Sequence, residues 1–149
     1  MPAPRRSSVV IAGVDAVDAE LRVPIRADAD IVTARQEGRR LASQLDFTPS
    51  DLTVIASAIS EIARNIVEYA RSGEVSIKLL EKNGRKGVMV VAQDAGPGIA
   101  DIAAALQDGY STSGSLGLGL PGARRLMDEF ELHSELGHGT RVTMRKWAR

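Results

Sequence analysis

Apolar residues recur along this chain with two periods, one typical of helices and the other typical of strands. A helical spacing over residues 28–45 joins the apolar-face positions Ile31, Ala34, Gly38, Leu41 and Leu45, and Asp28 is the expected N-cap. A second helix is expected to begin at the capping-box pattern Thr48-Pro49-Ser50-Asp51, with proline at the first helical position, and to end near Arg71. Its buried stripe comprises Leu52, Ile55, Ile59, Ile62 and Ile66.

The strands are predicted by alternation and by turn residues between apolar runs. A first strand is expected at 20–26, and alternation of Val75, Ile77 and Leu79 predicts another. An Asn-Gly pair within 82–86 predicts a hairpin turn, which leads to the apolar segment 87–93, typical of a central strand. A short helix, a glycine-rich loop, a helix ending at about Glu129 and a final hairpin, with strands at 130–135 and up to Trp147, complete the prediction.

This order of elements predicts a two-layer α/β sandwich. Its helices lie on one face of a mixed, mostly antiparallel sheet. Residues 20–149 are long enough for one domain with its own core, and residues 1–19 are expected to be a loosely ordered extension.

Composition excludes several classes of function. Nineteen basic and nineteen acidic residues cancel, so charge gives no support for a nucleic-acid or membrane partner. The chain contains no cysteine and only two histidines, which leaves out thiolate chemistry and a histidine-built metal site. An aromatic content of 3% argues against stacking platforms for single-stranded nucleic acid. With no apolar run of membrane-spanning length and no signal segment, a cytoplasmic protein is expected.

The first candidate for chemistry is the pair Glu61 and Asn65, one turn apart at the edge of the buried stripe. An amide oxygen is a hard ligand suited to Mg²⁺. A carboxylate one turn away can accept a proton from a hydroxyl that attacks a phosphate. Taken alone, the pair is more typical of the solvated polar edge of an amphipathic helix.

The second candidate is the segment Asp94-Ala95-Gly96-Pro97-Gly98, directly after the apolar strand. Ligands of α/β proteins bind at such strand ends. A carboxylate at Asp94 would accept a hydrogen bond from the amine of adenine and would oppose the carbonyl oxygen of guanine. An ordinary strand-ending turn is the alternative interpretation.

The third candidate is the glycine-rich run 111–120, whose backbone N–H groups can surround a phosphate. Arg124 and Arg125 follow it and are interpreted as surface charges, and His138 is interpreted as an exposed hairpin residue. The candidate nucleotide-binding residues of the run are Ser111, Thr112, Ser113, Gly114, Gly117, Leu118 and Gly119.

Together these segments resemble the GHKL ATPase superfamily, whose Bergerat fold binds Mg-ATP. The N box of that superfamily matches Glu61 and Asn65, and its final Gly-x-Gly-Thr matches 137–140. Its first glycine box matches Asp94, Gly96 and Gly98, and its second matches Gly117 and Gly119. Within the superfamily the chain is most similar to RsbT-like stressosome switch kinases, through DIVTARQEGRRLA, AISEIARNI, DAGPGI and DGYSTSGSLGLGLPGARRLMDEF.

The resemblance implies a serine/threonine-protein kinase with ATP and Mg²⁺ as cofactors. Such kinases phosphorylate STAS-domain scaffold proteins and, once released, activate a PP2C-type phosphatase. The resemblance gives Glu61 the role of base, Asn65 that of Mg²⁺ ligand and Asp94 that of adenine reader, and it places Thr140 in the nucleotide site.

One departure concerns the lid, where related anti-sigma-factor kinases carry an arginine near the γ-phosphate. Residues 108–116 contain no basic residue, and hydroxyl groups cannot replace the missing charge. Slow turnover is therefore expected. The alternative function is an anti-sigma factor or a nucleotide-controlled binding module that holds its partner without efficient phosphotransfer.

Overall fold

Alternating helical and strand segments form a layered α/β unit in the computed structural model, which describes residues 15–98 and 119–149. In chain order, the described elements are β1 (Asp15–Ile25), α1 (Asp28–Ala42), α2 (Pro49–Tyr69), β2 (Gly73–Lys82), β3 (Arg85–Asp94), α3 (Gly119–Leu126), β4 (Glu129–Glu135) and β5 (Gly139–Trp147). The short helix expected after the first glycine box lies outside the described residues. Within these ranges, no helix is both long and apolar enough to cross a membrane.

The five described strands form one sheet in the order β1-β2-β3-β5-β4. The sheet was expected to be mixed and mostly antiparallel, and every pairing between described strands is antiparallel. Strand β3 lies in the middle, between β2 and β5. The apolar segment 87–93 is therefore a central strand, as its sequence predicts.

The core lies between one face of the sheet and the helices. Helix α2 contributes its expected stripe, with Ile55, Ile59, Ile62 and Ile66 fully buried. Helix α1 packs closely on it at Gly38, where a Cβ would overlap the Ile59 side chain. Large apolar side chains on α2 thus meet a glycine on α1, which lets the two helices approach without a void.

The start of α2 agrees with the sequence prediction, and the start of α1 differs from it. The Thr48 hydroxyl accepts a hydrogen bond from Asp51 N at 3.0 Å, as expected of an N-cap. In α1 the N-cap is Ala27 and not Asp28, because the Asp30 carboxylate accepts from the N–H groups of Arg26 (2.8 Å) and Ala27 (3.1 Å). A carboxylate at the third helical position thus satisfies the preceding N–H groups.

Four further boundaries differ from the sequence prediction. Helices α1 and α3 end three residues early, at Ala42 and Leu126, and α2 ends two residues early, at Tyr69. Strand β1 begins at Asp15 instead of Glu20, because 15–16 still pair with β2 beyond a register shift. Helix ends fray, and the neighbouring strand determines how far a strand pairs. Local periodicity therefore encodes neither the last residue of a helix nor the first residue of a strand.

The helix-free face of the sheet carries a smaller apolar cluster of Leu80, Met89, Val91 and Trp147. Trp147 donates from Nε1 to Glu129 Oε2 at 2.6 Å, and the Arg85 guanidinium lies 5.5 Å from its ring centroid. Two buried cations flank this cluster, each paired with a carboxylate on a neighbouring strand: Lys78 with Glu20 and Arg145 with Glu129.

Candidate functional site

Asp94 is the last residue of β3, and its carboxylate organises one half of the candidate site. Its Oδ1 accepts hydrogen bonds from Gly96 N at 2.9 Å and from Thr140 N, at the start of β5, at 3.2 Å. Both bonds reach the same oxygen. Oδ2 thus receives no hydrogen bond from the described residues and remains an acceptor for a ligand.

Close approaches around the end of β3 leave room only for glycine at three positions. Gly139 has φ +93°, and a Cβ there would overlap the Asp94 carbonyl oxygen. Gly98 has φ +81°, and a Cβ there would overlap the Glu135 carbonyl oxygen. A Cβ on Gly96 would lie 2.6 Å from the Ala70 Cβ at the end of α2. Gly139 and Gly96 let β5 and the end of α2 lie close to Asp94 and the turn after it, and Gly98 lets that turn pack on the end of β4.

Thr140 is buried beside Asp94, and its hydroxyl is held by Ser134 of β4. The two hydroxyl oxygens are 2.9 Å apart, and Ser134 Oγ also donates to the Gly139 carbonyl at 3.1 Å. With the Ser134 proton directed to that carbonyl, Thr140 is the donor in the hydroxyl pair. The Thr140 oxygen thus keeps lone pairs that can accept from a ligand.

Glu61, on α2, organises the other half of the site. It lies nine residues before Ala70, the C-cap of that helix. Its Oε1 accepts from Arg64 Nη1 at 2.9 Å, and its Oε2 accepts from Gly119 N at 3.1 Å. Gly119 is the first residue of α3, so the carboxylate lies at the positive end of a helix. The chain therefore brings together two predicted site residues that are 58 positions apart.

Asn65 lies one turn beyond Glu61 on the same helix and is half-buried. In the part of the chain that the structure describes, its side chain makes no hydrogen bond. An amide oxygen held at a helix surface in this way is available to coordinate a hard cation. No group of three or more acidic, histidine or cysteine side chains in the described ranges is arranged to hold a metal ion, so a cation here would need phosphate and water oxygens.

Helix α2 connects the two halves. Ala70 at its C-cap contacts Gly96, whereas Glu61 contacts Gly119 at the start of α3. Nine residues separate these points, or about 14 Å along the helix axis. The arrangement suits an elongated ligand with a hydrogen-bonding base at one end and anionic groups at the other, and the donors and acceptors fit a nucleotide with Mg²⁺.

Six of the predicted site residues lie outside the described residues: Ser111, Thr112, Ser113, Gly114, Gly117 and Leu118. Arg124 and Arg125 have exposed side chains, and His138 is exposed in the β4–β5 turn, as the sequence analysis expects.

The sequence analysis missed two residues that contact the site, Arg64 and Ser134. Arg64 could have been found from its position one turn from Glu61 with opposite charge. Ser134 could not, because its contact with Thr140 depends on the pairing of β4 with β5.

Comparisons with known proteins identify the family of the chain. Residues 24–146 match the family model described as the histidine kinase-like ATPase domain. The chain is 50% identical over 127 residues to the serine/threonine-protein kinase RsbT of Bacillus subtilis, covering 85% of this chain and 96% of that protein. It is 32% identical over 118 residues to an anti-sigma F factor of Clostridium kluyveri, covering 76% of this chain and 82% of that one.

A solved structure of the RsbU and RsbW domains of a Mycobacterium tuberculosis protein is similar in fold. Its TM-score is 0.55 at 20% sequence identity, and the match covers 86% of this chain and 31% of that longer one. This likeness supports the fold, and the curated relatives support the activity. The chain therefore belongs to the histidine kinase-like ATPase domain family, within its group of RsbT-like serine/threonine-protein kinases.

Proposed function

We propose that this chain phosphorylates serine or threonine of a STAS-domain protein, with Glu61 as the base and Mg-ATP as the phosphoryl donor. One observation carries the proposal. Glu61, on α2, contacts the start of α3 and lies one turn from Asn65, and the same helix reaches the turn after Asp94 through Ala70 and Gly96. This placement supports roles for Glu61 as proton acceptor, Asn65 as metal ligand and Asp94 as the carboxylate that reads the base.

In this proposal, different residues contact the base, the metal ion and the phosphates. Asp94 Oδ2 accepts from the adenine amine, and Thr140 adds a second polar contact. Gly96 and Gly98 shape this end of the site, because they let Ala70 and Glu135 pack close to the turn after β3. Asn65 holds the metal ion. Gly119 N anchors Glu61. The groups proposed to contact the phosphates are the sequence-predicted hydroxyls Ser111, Thr112 and Ser113 and the backbone at Gly114, Gly117 and Leu118.

Glu61 has the chemical role of a general base. When bound, ATP would supply the phosphoryl group, and Mg²⁺ would neutralise the charge that develops on the phosphate oxygens. The Glu61 carboxylate accepts the proton of the attacking hydroxyl, which makes that oxygen a better nucleophile. Asn65 orients the metal relative to Glu61, since one helical turn fixes their separation.

The partners belong to the proposal as well. The relatives named as RsbT and as anti-sigma F factor favour a protein substrate within a partner-switching system. We propose that STAS-domain scaffold or antagonist proteins are the substrates, that a PP2C-type phosphatase is activated by the released kinase, and that residues 20–149 form the kinase domain. The cytoplasm, where ATP and Mg²⁺ are available, is the proposed compartment.

A second candidate function is that of an anti-sigma factor, favoured by the relative with 32% identity. Incubation with radiolabelled ATP and candidate partners separates the two functions. We expect label on a serine or threonine of a STAS protein, located by mass spectrometry. Binding of a STAS protein without label would indicate a passive switch, and capture of a σ factor would select the anti-sigma function.

The role of Glu61 is tested by Glu61→Gln. We expect this variant to bind Mg-ATP with unchanged affinity and to lose about 10²- to 10⁴-fold in the rate of phosphotransfer, because the amide cannot accept the proton. Affinity is measured by calorimetry and transfer by radiolabel. Glu68→Gln is the matched control, since Glu68 is exposed on the same helix. Equal transfer rates for Glu61→Gln and the wild type would contradict the role of base.

A further inference from the structure

Arg64 contacts Glu61, the proposed base, but the proposed function gives Arg64 no role. Its Nη1 donates to Glu61 Oε1 at 2.9 Å, and the other Glu61 oxygen accepts from Gly119 N at 3.1 Å. The carboxylate is therefore held at both oxygens, from one side by its own helix and from the other by the first N–H of α3. Two anchors fix the plane of a carboxylate, whereas a single anchor lets it rotate.

We infer that Arg64 is a positioning residue for phosphotransfer, which orients the Glu61 carboxylate towards the attacking hydroxyl. The inference rests on the proposed role of Glu61. A base must lie within hydrogen-bond reach of the proton that it abstracts, and a misplacement of about 1 Å can cost on the order of 100-fold in rate. Without Arg64, Glu61 keeps only the contact with Gly119 N, and its second oxygen is free to turn away.

Another ion pair in the chain has the same spacing and serves as an internal comparison. Arg40 Nη2 lies 2.6 Å from Glu37 Oε2 on α1, also three residues apart. The side chains of that pair are 60% and 41% exposed, against 35% and 19% for Arg64 and Glu61. Exposed pairs contribute little to stability. The Arg64 pair differs because its carboxylate also binds the start of α3.

A direct contact of Arg64 with a phosphate is the competing role. The sequence 108–116 contains no basic residue, so a cation from another element could take that place. The two roles predict different kinetics. A positioning residue affects the rate of transfer, whereas a phosphate ligand also affects nucleotide affinity.

The experiment compares Arg64→Ala, Arg64→Lys and the control Arg40→Ala in phosphotransfer and in Mg-ATP affinity. For Arg64→Ala we expect a loss of about 10- to 100-fold in kcat, with Kd for Mg-ATP unchanged. Arg64→Lys recovers part of the rate, and added guanidinium ion recovers part of the rate of Arg64→Ala. Arg40→Ala keeps the wild-type rate. A wild-type kcat for Arg64→Ala, or a weakened Kd, would overturn the inference.

A double variant separates this inference from the function on which it rests. If Arg64 acts through Glu61, then Arg64→Ala causes no further loss of rate in the Glu61→Gln background. An additional loss there would contradict the inference. Full activity of Glu61→Gln alone would instead refute the proposed base. Circular dichroism of each variant confirms that the fold is retained, so that a loss of rate is not an effect of unfolding.

Discussion

Asp94 shows how one side chain can serve both the fold and the site. Its Oδ1 satisfies two backbone N–H groups, one in the following turn and one at the start of β5, while Oδ2 stays available. Removal of the carboxylate would therefore disturb two elements, but a change at Oδ2 alone affects only a ligand. The sequence predicts Asp94 as an adenine reader from its place after an apolar strand, and that assignment stays a prediction.

Substitution Asp94→Asn tests this assignment. The amide oxygen replaces Oδ1 as acceptor for Gly96 N and Thr140 N, which leaves the NH₂ group at the position of Oδ2. A donor there repels the amine of adenine and suits the carbonyl oxygen of guanine. We expect ATP affinity to fall about 10- to 100-fold and the preference over GTP to shrink.

Nucleotide titration by calorimetry provides the measurement, with Asp46→Asn, at an exposed loop position, as control. Equal affinities of the wild type for ATP and GTP would contradict the role of Asp94 in reading the base.

At the scale of elements, helix α2 was predictable and the strand boundaries were only partly so. The Thr48 cap, the proline at the first helical position and the isoleucine stripe are all local signals, and the structure confirms them. The start of β1 depends on a distant partner, because β2 extends β1 to Asp15, and local sequence does not contain that pairing. The Asp30 carboxylate shifts the cap of α1 to Ala27 through a local contact three residues long, which the sequence prediction overlooked.

The start of β5 depends on a glycine whose substitution should be costly. In Gly139→Ala the new Cβ overlaps the Asp94 carbonyl, and a left-handed backbone is unfavourable for alanine. We expect a loss of about 3 kcal/mol in the free energy of unfolding. Gly84→Ala is the matched control, because Gly84 has φ +79° with nothing near its Cβ, and about 1 kcal/mol is expected there.

Urea denaturation measures both variants. Equal losses of stability would show that backbone conformation alone matters at Gly139 and that the approach to Asp94 is unimportant.

At the scale of the whole molecule, the candidate site lies where both layers meet. Helices α2 and α3 supply Glu61, Asn65 and Gly119, and strands β3 and β5 supply Asp94 and Thr140. Motif order along the chain predicts this set of residues. It does not predict the sheet order, in which β5 lies between β3 and β4, and only that order places Thr140 against Asp94. Long-range pairing is decided by packing of the complete core.

Since the site joins elements of both layers, ligand binding should stabilise the whole fold. A ligand present at about 100 times its Kd adds about 2.7 kcal/mol to the free energy of unfolding. If Asn65 is a metal ligand, Mg²⁺ increases the rise in Tm that ATP causes in the wild type, but it adds nothing in Asn65→Ala.

Thermal unfolding followed by circular dichroism, with and without Mg²⁺, tests this expectation. Ser57→Ala, an exposed change on the same helix, serves as control. A metal-dependent rise in Tm that survives in Asn65→Ala would exclude Asn65 as a ligand.

Trp147 gives the molecule an intrinsic fluorescent reporter at the end of β5. It is the chain's single tryptophan, and it lies seven residues along β5 from Thr140, about 23 Å away. Its ring is held by Glu129 and Arg85 on the helix-free face. Its emission thus reports on the integrity of the sheet at the end of β5 that is far from Thr140. Fluorescence can therefore follow unfolding in the variants above.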